Sequence, residues 1–373
     1  MLTGLEPLVP WPVWLRAIMA ALISLVCVRL AGPNCIRWLA LHCREPIRSA
    51  SPQLNALLAA KHGTPTLGGL FLIAGWLAGI LLCANLNAPS VAFCLVTSIV
   101  LAAIGLVDDA VKLRTARRGL SARAKLAAQF LLLAGPAWWI AAMHSEGSTL
   151  PTALLVALVL VAASNAVNLT DGLDGLACGS LLPVIVALGA IGLLGATLNL
   201  TSHGFHLSAL PVELANADDR GELAVVAAAL AGAIVAFLPL NVAPARVFLG
   251  NTGSLALGGA LGSLGVLLLP VWLLAIAAGL FVCEAASVIL QIATFRATGR
   301  RLFRCAPLHH HFQFLGWSER RIVRIFWGAS VVCVFAACGL AGTPYQIVNN
   351  FHAAAASPTL TAPSRQDSHG RGD

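Results

Sequence analysis

Residues 150–197 read LPTALLVALVLVAASNAVNLTDGLDGLACGSLLPVIVALGAIGLLGAT. Two apolar runs flank a short polar segment from Asn165 to Gly175. Each run is close to the 20 or so residues a helix needs to cross a bilayer. In lipid every backbone N–H and C=O must find a partner within the protein, and a helix provides one locally. The alternating pattern of a membrane barrel is absent. This stretch therefore predicts an all-α, polytopic membrane fold.

The rest of the chain repeats the pattern. Of 373 residues, 58% are hydrophobic and only 10% charged, far below the roughly 25% charge of a soluble domain. The mean hydropathy is +0.86. Disorder is excluded on the same ground. Ten apolar stretches predict spans at 12–32, 66–87, 90–107, 124–143, 150–167, 176–199, 222–240, 252–269, 271–293 and 325–344. Trp11 and Trp14 precede Arg16 with no charged leader before them, so the first stretch reads as a true span and not a signal peptide. Residues 1–351 form one integral membrane domain; the Ala-, Ser- and Pro-rich tail 352–373 reads as disordered.

The net charge of +8 would suggest nucleic-acid binding in a soluble protein. Here 18 of the 23 Lys and Arg residues fall in the loops after the odd-numbered spans. The positive-inside rule accounts for them, places those loops in the cytoplasm and puts both termini on the other side. With no RNA-binding aromatic motif, the chain has a lipid bilayer as partner and no nucleic acid. The ten cysteines form no CxxC pair, and most sit in apolar runs as small packing residues.

Four polar clusters interrupt the pattern, each beside an odd loop and hence on one face. Ionisable groups at a span edge are costly and usually functional. The first is Asp108-Asp109, at the end of the third span: adjacent carboxylates repel unless a cation or a shared proton intervenes. They read as a Mg²⁺ site or a base beside a metal ligand, or else as a helix-end pair with Asp108 bridging Lys112. The second places Asn165, Asn168, Asp171 and Asp174 at every third position with no Lys or Arg among them. A divalent cation and an oxygen-rich substrate would satisfy that set, whereas a turn with an N-cap explains only one member. The third runs from Asn241 through Arg246 to Gly250-Asn251-Thr252-Gly253-Ser254; here Asn251, Thr252 or Ser254 could cap the next helix, whose N-terminus attracts phosphate. The fourth is Pro307-Leu308-His309-His310-His311-Phe312, between two groups of three arginines. Clustered imidazoles bind a metal or donate to phosphate, and the guanidinium groups favour anions. The ensemble suits a phosphorylated soluble substrate meeting a phosphorylated lipid, with Mg²⁺ and cationic groups stabilising phosphoryl transfer.

Lys61 to Gly69 (KHGTPTLGG), Asp108-Asp109 with Gly119 to Lys125, Asn165 to Gly179, Asn241 to Gly259, Glu284 to Gln291 and Pro307 to Trp327 together resemble the polyprenyl-phosphate N-acetylhexosamine-1-phosphate transferase superfamily. Lys61–Gly69 and the His309-His310-His311 segment resemble its phospho-N-acetylmuramoyl-pentapeptide transferase branch. The resemblance implies a Mg²⁺-dependent membrane transferase that moves phospho-N-acetylmuramoyl-pentapeptide from UDP to undecaprenyl phosphate. The products are lipid I and UMP, and the setting is peptidoglycan synthesis at the bacterial inner membrane. It implies a homodimer. It also implies that Asp108, Asp109, His309, His310 and His311 act in catalysis, and that Asn168 and Asn251 hold the metal. Lys61, Lys125, Asn165, Asp171, Asp174 and Asn241 would bind substrate. The chain departs from the family at Asn251, where Asp is usual, and at Gln313, where Glu is usual. An amide offers a hard cation one carbonyl oxygen but no charge, so weaker Mg²⁺ binding is expected. Three alternatives stay open: a catalytically impaired paralogue that binds lipid phosphate, a sister enzyme using another UDP-N-acetylhexosamine, and a transporter. The transporter would need clusters near the midplane and inverted repeats, neither of which is seen.

Overall fold

The computed structural model describes residues 11–44, 61, 63–115, 119–144, 149–197 and 217–355. Twelve helices occur among them. They are α1 (Val13–His42), α2 (Gly69–Cys83), α3 (Pro89–Arg114), α4 (Ala122–His144), α5 (Thr149–Thr170) and α6 (Leu176–Thr197). Then follow α7 (Ala217–Asn241), α8 (Gly250–Leu268), α9 (Val271–Ala277), α10 (Gly279–Thr298), α11 (Leu308–Phe314) and α12 (Glu319–Ala355). The described residues contain no strand, only an isolated bridge between Arg44 and Pro65. The chain is an all-α polytopic membrane protein: nine of these helices are long and apolar enough to span a bilayer.

Three sequence expectations change. The stretch 66–87 folds as α2, only 15 residues long. The stretch 271–293 is two helices, because the backbone breaks at Ala278. The third span does not stop at residue 107: α3 continues to Arg114, so Asp108 and Asp109 lie within it, both buried. The expected tail from 352 lies mostly outside the described residues, and α12 runs to Ala355.

Helix α8 is the axis of the bundle. Its residues Thr252 to Leu267 are all buried, and α3 and α5 pack along it. Glycine, alanine and serine dominate its sequence, so neighbouring backbones approach closely, as small residues allow in membranes. Helices α1, α2 and α6 pack around α7. Large side chains exposed on α1, α4, α10 and α12, such as Leu30, Leu131, Ile289 and Phe335, suit a lipid surface. Consecutive spans alternate in direction. The ends of α3, α5, α7 and α10 therefore meet the starts of α2, α4, α6, α8 and α12 at one end of the bundle.

Candidate functional site

That end holds all four polar clusters. Asp108 is 1% exposed. Its Oδ1 accepts the Leu120 N–H at 2.7 Å. Its Oδ2 accepts the Asn251 side-chain N–H and faces Lys125 at 3.4 Å and Lys112 at 3.5 Å. Asp109 does different work. Its Oδ1 accepts the Asn251 backbone N–H at 3.1 Å, and its Oδ2 accepts the Thr252 N–H at 2.9 Å and hydroxyl at 2.8 Å. These amides belong to the first turn of α8, whose unpaired donors and dipole attract a carboxylate. The expected cap from Asn251, Thr252 or Ser254 is thus corrected: α8 has no side-chain cap of its own, and Asp109 of α3 supplies one.

Asn168 lies in the last turn of α5 and donates to Asn251 Oδ1 at 2.7 Å and Ser254 Oγ at 2.8 Å. The chain Asn168–Asn251–Asp108 is therefore continuous. An amide at 251 can accept from Asn168 and donate to Asp108 together; a carboxylate could not donate. Asp108, Asn168 and Asn251 each carry a side-chain oxygen of the hard kind that Mg²⁺ takes, although in this arrangement both amides present their nitrogens to neighbours within the chain. The charge of the set is low: among the described residues no three His, Cys, Asp or Glu side chains converge as a metal site, because two of the three donor residues are amides.

Lys61 bridges Asp174 at 2.6 Å and Glu319 at 2.5 Å. Glu319 also accepts the Asp174 N–H at 2.7 Å, and Asp174 Oδ2 accepts the Ala245 N–H at 3.0 Å. The loop after α5, the loop after α7 and the start of α12 are thus tied through two carboxylates, Asp174 and Glu319, and one ammonium. Asp171 sits in the turn after α5, half-buried. Asn241 is 3% exposed; it accepts the Gly175 N–H at 3.1 Å and donates to Val247 O at 3.0 Å. Its amide braces two loops instead of facing a ligand. Asn165 does not join the cluster. It donates to Gln129 Oε1 at 2.7 Å and Val161 O at 2.8 Å, and Gln129 donates to Ser164. This is an amide link between α4 and α5.

The three histidines diverge. His309 is fully buried, its Nδ1 lying 2.8 Å from Glu284 Oε2 while its backbone N–H donates to Oε1 at 3.1 Å. Its Nε2 has no hydrogen-bond partner and abuts Gly172, where a Cβ would clash with the ring. A buried nitrogen without a partner is a costly arrangement; here it points at the loop that carries Asp171. The His310 Nδ1 lies 2.8 Å from Gln313 Oε1. Burial, reinforced by His309 and Lys61 and opposed by the Gln313 hydrogen bond, pushes its pKa down to about 4. His311 instead accepts the Arg304 N–H at 3.1 Å and packs edge-on against Phe303 and Phe312, so it shapes the arginine loop.

Two carboxylates had no assigned role in the sequence. Glu284 is a lone acid inside an apolar stretch, and that is itself a signal. Glu319 stands among arginines, and nothing in the sequence separates it from an ordinary loop charge.

With this geometry in place, one comparison bears on chemistry. A family model described as glycosyl transferase family 4 matches residues 91–269. The match takes in Asp108, Asp109, Lys125, Asn168, Asp171, Asp174, Asn241 and Asn251; Lys61, Glu284 and the histidines lie outside it. It supports the polyprenyl-phosphate hexosamine-1-phosphate transferase superfamily and a phosphosugar-1-phosphate transferase activity.

Proposed function

We propose, from that kinship, that the protein transfers phospho-N-acetylmuramoyl-pentapeptide from its UDP derivative to undecaprenyl phosphate, at the cytoplasmic face of a bacterial inner membrane. One oxygen of the lipid phosphate forms a bond to the sugar-linked phosphorus. The bond from that phosphorus to the bridging oxygen breaks, and UMP leaves with the electron pair. The products are a lipid-linked diphosphate sugar, lipid I, and UMP, which places the step in peptidoglycan synthesis. The carrying observation is the Asp108–Asn251–Asn168 chain, joined by Lys112 and Lys125 where the bundle meets water.

In this reading Asp108 is the working carboxylate, able to hold a proton from the lipid phosphate or a metal-bound group. Asp109 fixes the α8 N-terminus that carries Asn251. Lys125 and Lys112 offset the phosphate charge. Lys61, Asp174 and Asp171 receive the nucleotide once the Lys61 bridge opens. His309, held by Glu284, presents Nε2, and His310 lies beside it. His311, Asn241 and Asn165 serve by bracing. Mg²⁺, held by Asp108, Asn168 and Asn251, would supply positive charge to the diphosphate.

Asn251 also supports a second reading, an impaired paralogue that binds lipid phosphate. Its amide satisfies Asp108 and Asn168 without any cation, so a metal must displace existing hydrogen bonds. UMP release by protein in nanodiscs, with both substrates and a Mg²⁺ titration, separates the two. Wild-type turnover that rises with Mg²⁺ is the expected result. Turnover only in Asn251→Asp would establish impairment at one residue. Undecaprenyl phosphate binding without turnover in either form would establish the binding role. A preference for another UDP-N-acetylhexosamine in competition would move the specificity to a sister enzyme.

A further inference from the structure

A second concave feature borders Asp174. It is a cavity of about 380 Å³ lined by Asp174, Val242, Ala243, Arg320, Val323, Arg324 and Trp327, within the 300–1,000 Å³ of ligand pockets. Of its lining only Asp174 takes part in the transfer reaction above; the two arginines, Val242, Ala243, Val323 and Trp327 do not. Arg320 and Arg324 stand one turn apart on α12, so their guanidinium groups share a face. Neither has a carboxylate partner among the described residues; the only hydrogen bond of either side chain is Arg324 Nε to Arg320 O, at 3.3 Å. The one acid in the wall is already matched: Asp174 takes Lys61 on one oxygen and the Ala245 N–H on the other. The cavity is therefore short of negative charge.

Its floor is built in place. The Trp327 indole donates to Gly175 O at 3.1 Å and presses on Gly179, where any Cβ would collide with the ring. A ring pinned in this way loses little freedom when a ligand covers it. Val323, Val242 and Ala243 extend the apolar surface. The level is also informative. Arg320 and Arg324 occupy the first turns of a helix that spans from Glu319, the depth at which lipid headgroups meet arginine and tryptophan. Basic pockets between spans at this level hold anionic headgroups.

We propose that this cavity is a binding site for a phosphate-bearing anion, filled by the phosphodiester headgroup of an anionic membrane phospholipid. Arg320 and Arg324 pair with the phosphate oxygens, which guanidinium groups suit in bidentate fashion. The glycerol and upper acyl carbons lie on Trp327 and Val323. The site adjoins the nucleotide side at Asp174 but binds through Arg320, Arg324 and Trp327, and its test does not require turnover.

The protein is placed in nanodiscs of dioleoylphosphatidylcholine with a graded fraction of dioleoylphosphatidylglycerol, and retained lipid is counted by native mass spectrometry. Wild type is compared with Arg320→Gln/Arg324→Gln and with Arg300→Gln/Arg301→Gln, which removes equal charge from the preceding loop. Thermal melting checks that all three are folded. The expected result is one tightly retained phosphatidylglycerol in wild type and in the loop variant, and about tenfold weaker retention in the cavity variant. Equal loss in both variants, or no preference of wild type for phosphatidylglycerol, overturns the proposal. A parallel titration with inorganic phosphate distinguishes the source. Displacement of the lipid by millimolar phosphate, absent in the cavity variant, would assign the anion site to a soluble ligand and overturn the lipid assignment.

Discussion

At the end of the bundle away from the site, Arg16 and Glu222 meet across 206 residues of sequence at 2.6 Å and 3.1 Å. Arg16 also donates to Cys83 O and Trp11 O, and Glu222 accepts the Asn85 N–H at 2.7 Å. Both side chains are more than nine-tenths buried, and every guanidinium nitrogen of Arg16 and both carboxylate oxygens of Glu222 meet a neighbour. At the site end the buried acids are more numerous and their pairing is looser. Lys112 and Lys125 stand 3.4–3.5 Å from Asp108, Lys61 is shared between two acids, and His309 Nε2 meets nothing. Buried charge in a membrane protein therefore does not by itself mark chemistry. A closed network staples α1, α2 and α7; an open one, built from four segments of chain, leaves capacity for a ligand.

The sharpest way to break this comparison is to neutralise one acid at each end. Asp108→Asn keeps the shape and removes the charge that faces two lysines. Turnover is expected to fall about a thousandfold, inside the 10²–10⁴ range for loss of an acid–base group, with melting little changed. Glu222→Gln strands the Arg16 charge. The expected cost is about 3 kcal/mol of stability, as for other buried pairs deprived of one partner, read as a lowered melting temperature, with turnover per folded molecule preserved. Reversal of the two outcomes would mean the ends have been assigned the wrong way round.

Gly172→Ala probes the open nitrogen with a single methyl group. The new Cβ must push the His309 ring away from the loop or tilt the loop itself. A displacement near 1 Å at a reacting centre costs on the order of 100-fold, so turnover should drop by about that factor while nucleotide binding, measured by calorimetry, persists. Unchanged turnover would show that His309 Nε2 has no part in the reaction.

How much of this was legible depends on whether the cause is local. The spans are, because hydropathy over 20 residues decides them. The Asp108, Asn168, Asn241 and His309 clusters also declared themselves, since polar residues stand out against apolar runs and the charge of the loops places them on one side. Contacts between distant segments were hidden. The sequence gives no hint that Asp109 caps a helix 142 residues later, or that Arg16 reaches Glu222. Asn165 fits the period of Asn168 and Asp171, yet its amide turns to Gln129 on another helix, a choice that depends on how α4 packs. The break at Ala278 was equally hidden, because its flanks are as apolar as any span.

The smallest effect expected is in acid, and it again separates the ends. The fold holds His310 neutral, with a pKa near 4 against about 6.5 for a free imidazole. The unfolded chain therefore takes up a proton first as pH falls. Stability is full above about pH 6.5 and declines between there and pH 4, by at most about 1.4 kcal/mol per pH unit from this group. His310→Gln removes the titrating ring and keeps a polar side chain beside Gln313. Melting temperature measured from pH 7 to pH 4.5 should fall less steeply in the variant than in wild type. Glu222→Gln, which acts at the other end, should lower the whole curve without changing that part of its slope. Parallel curves for wild type and His310→Gln would place the acid sensitivity elsewhere and remove His310 from the list of groups that the site end holds against their solution preference.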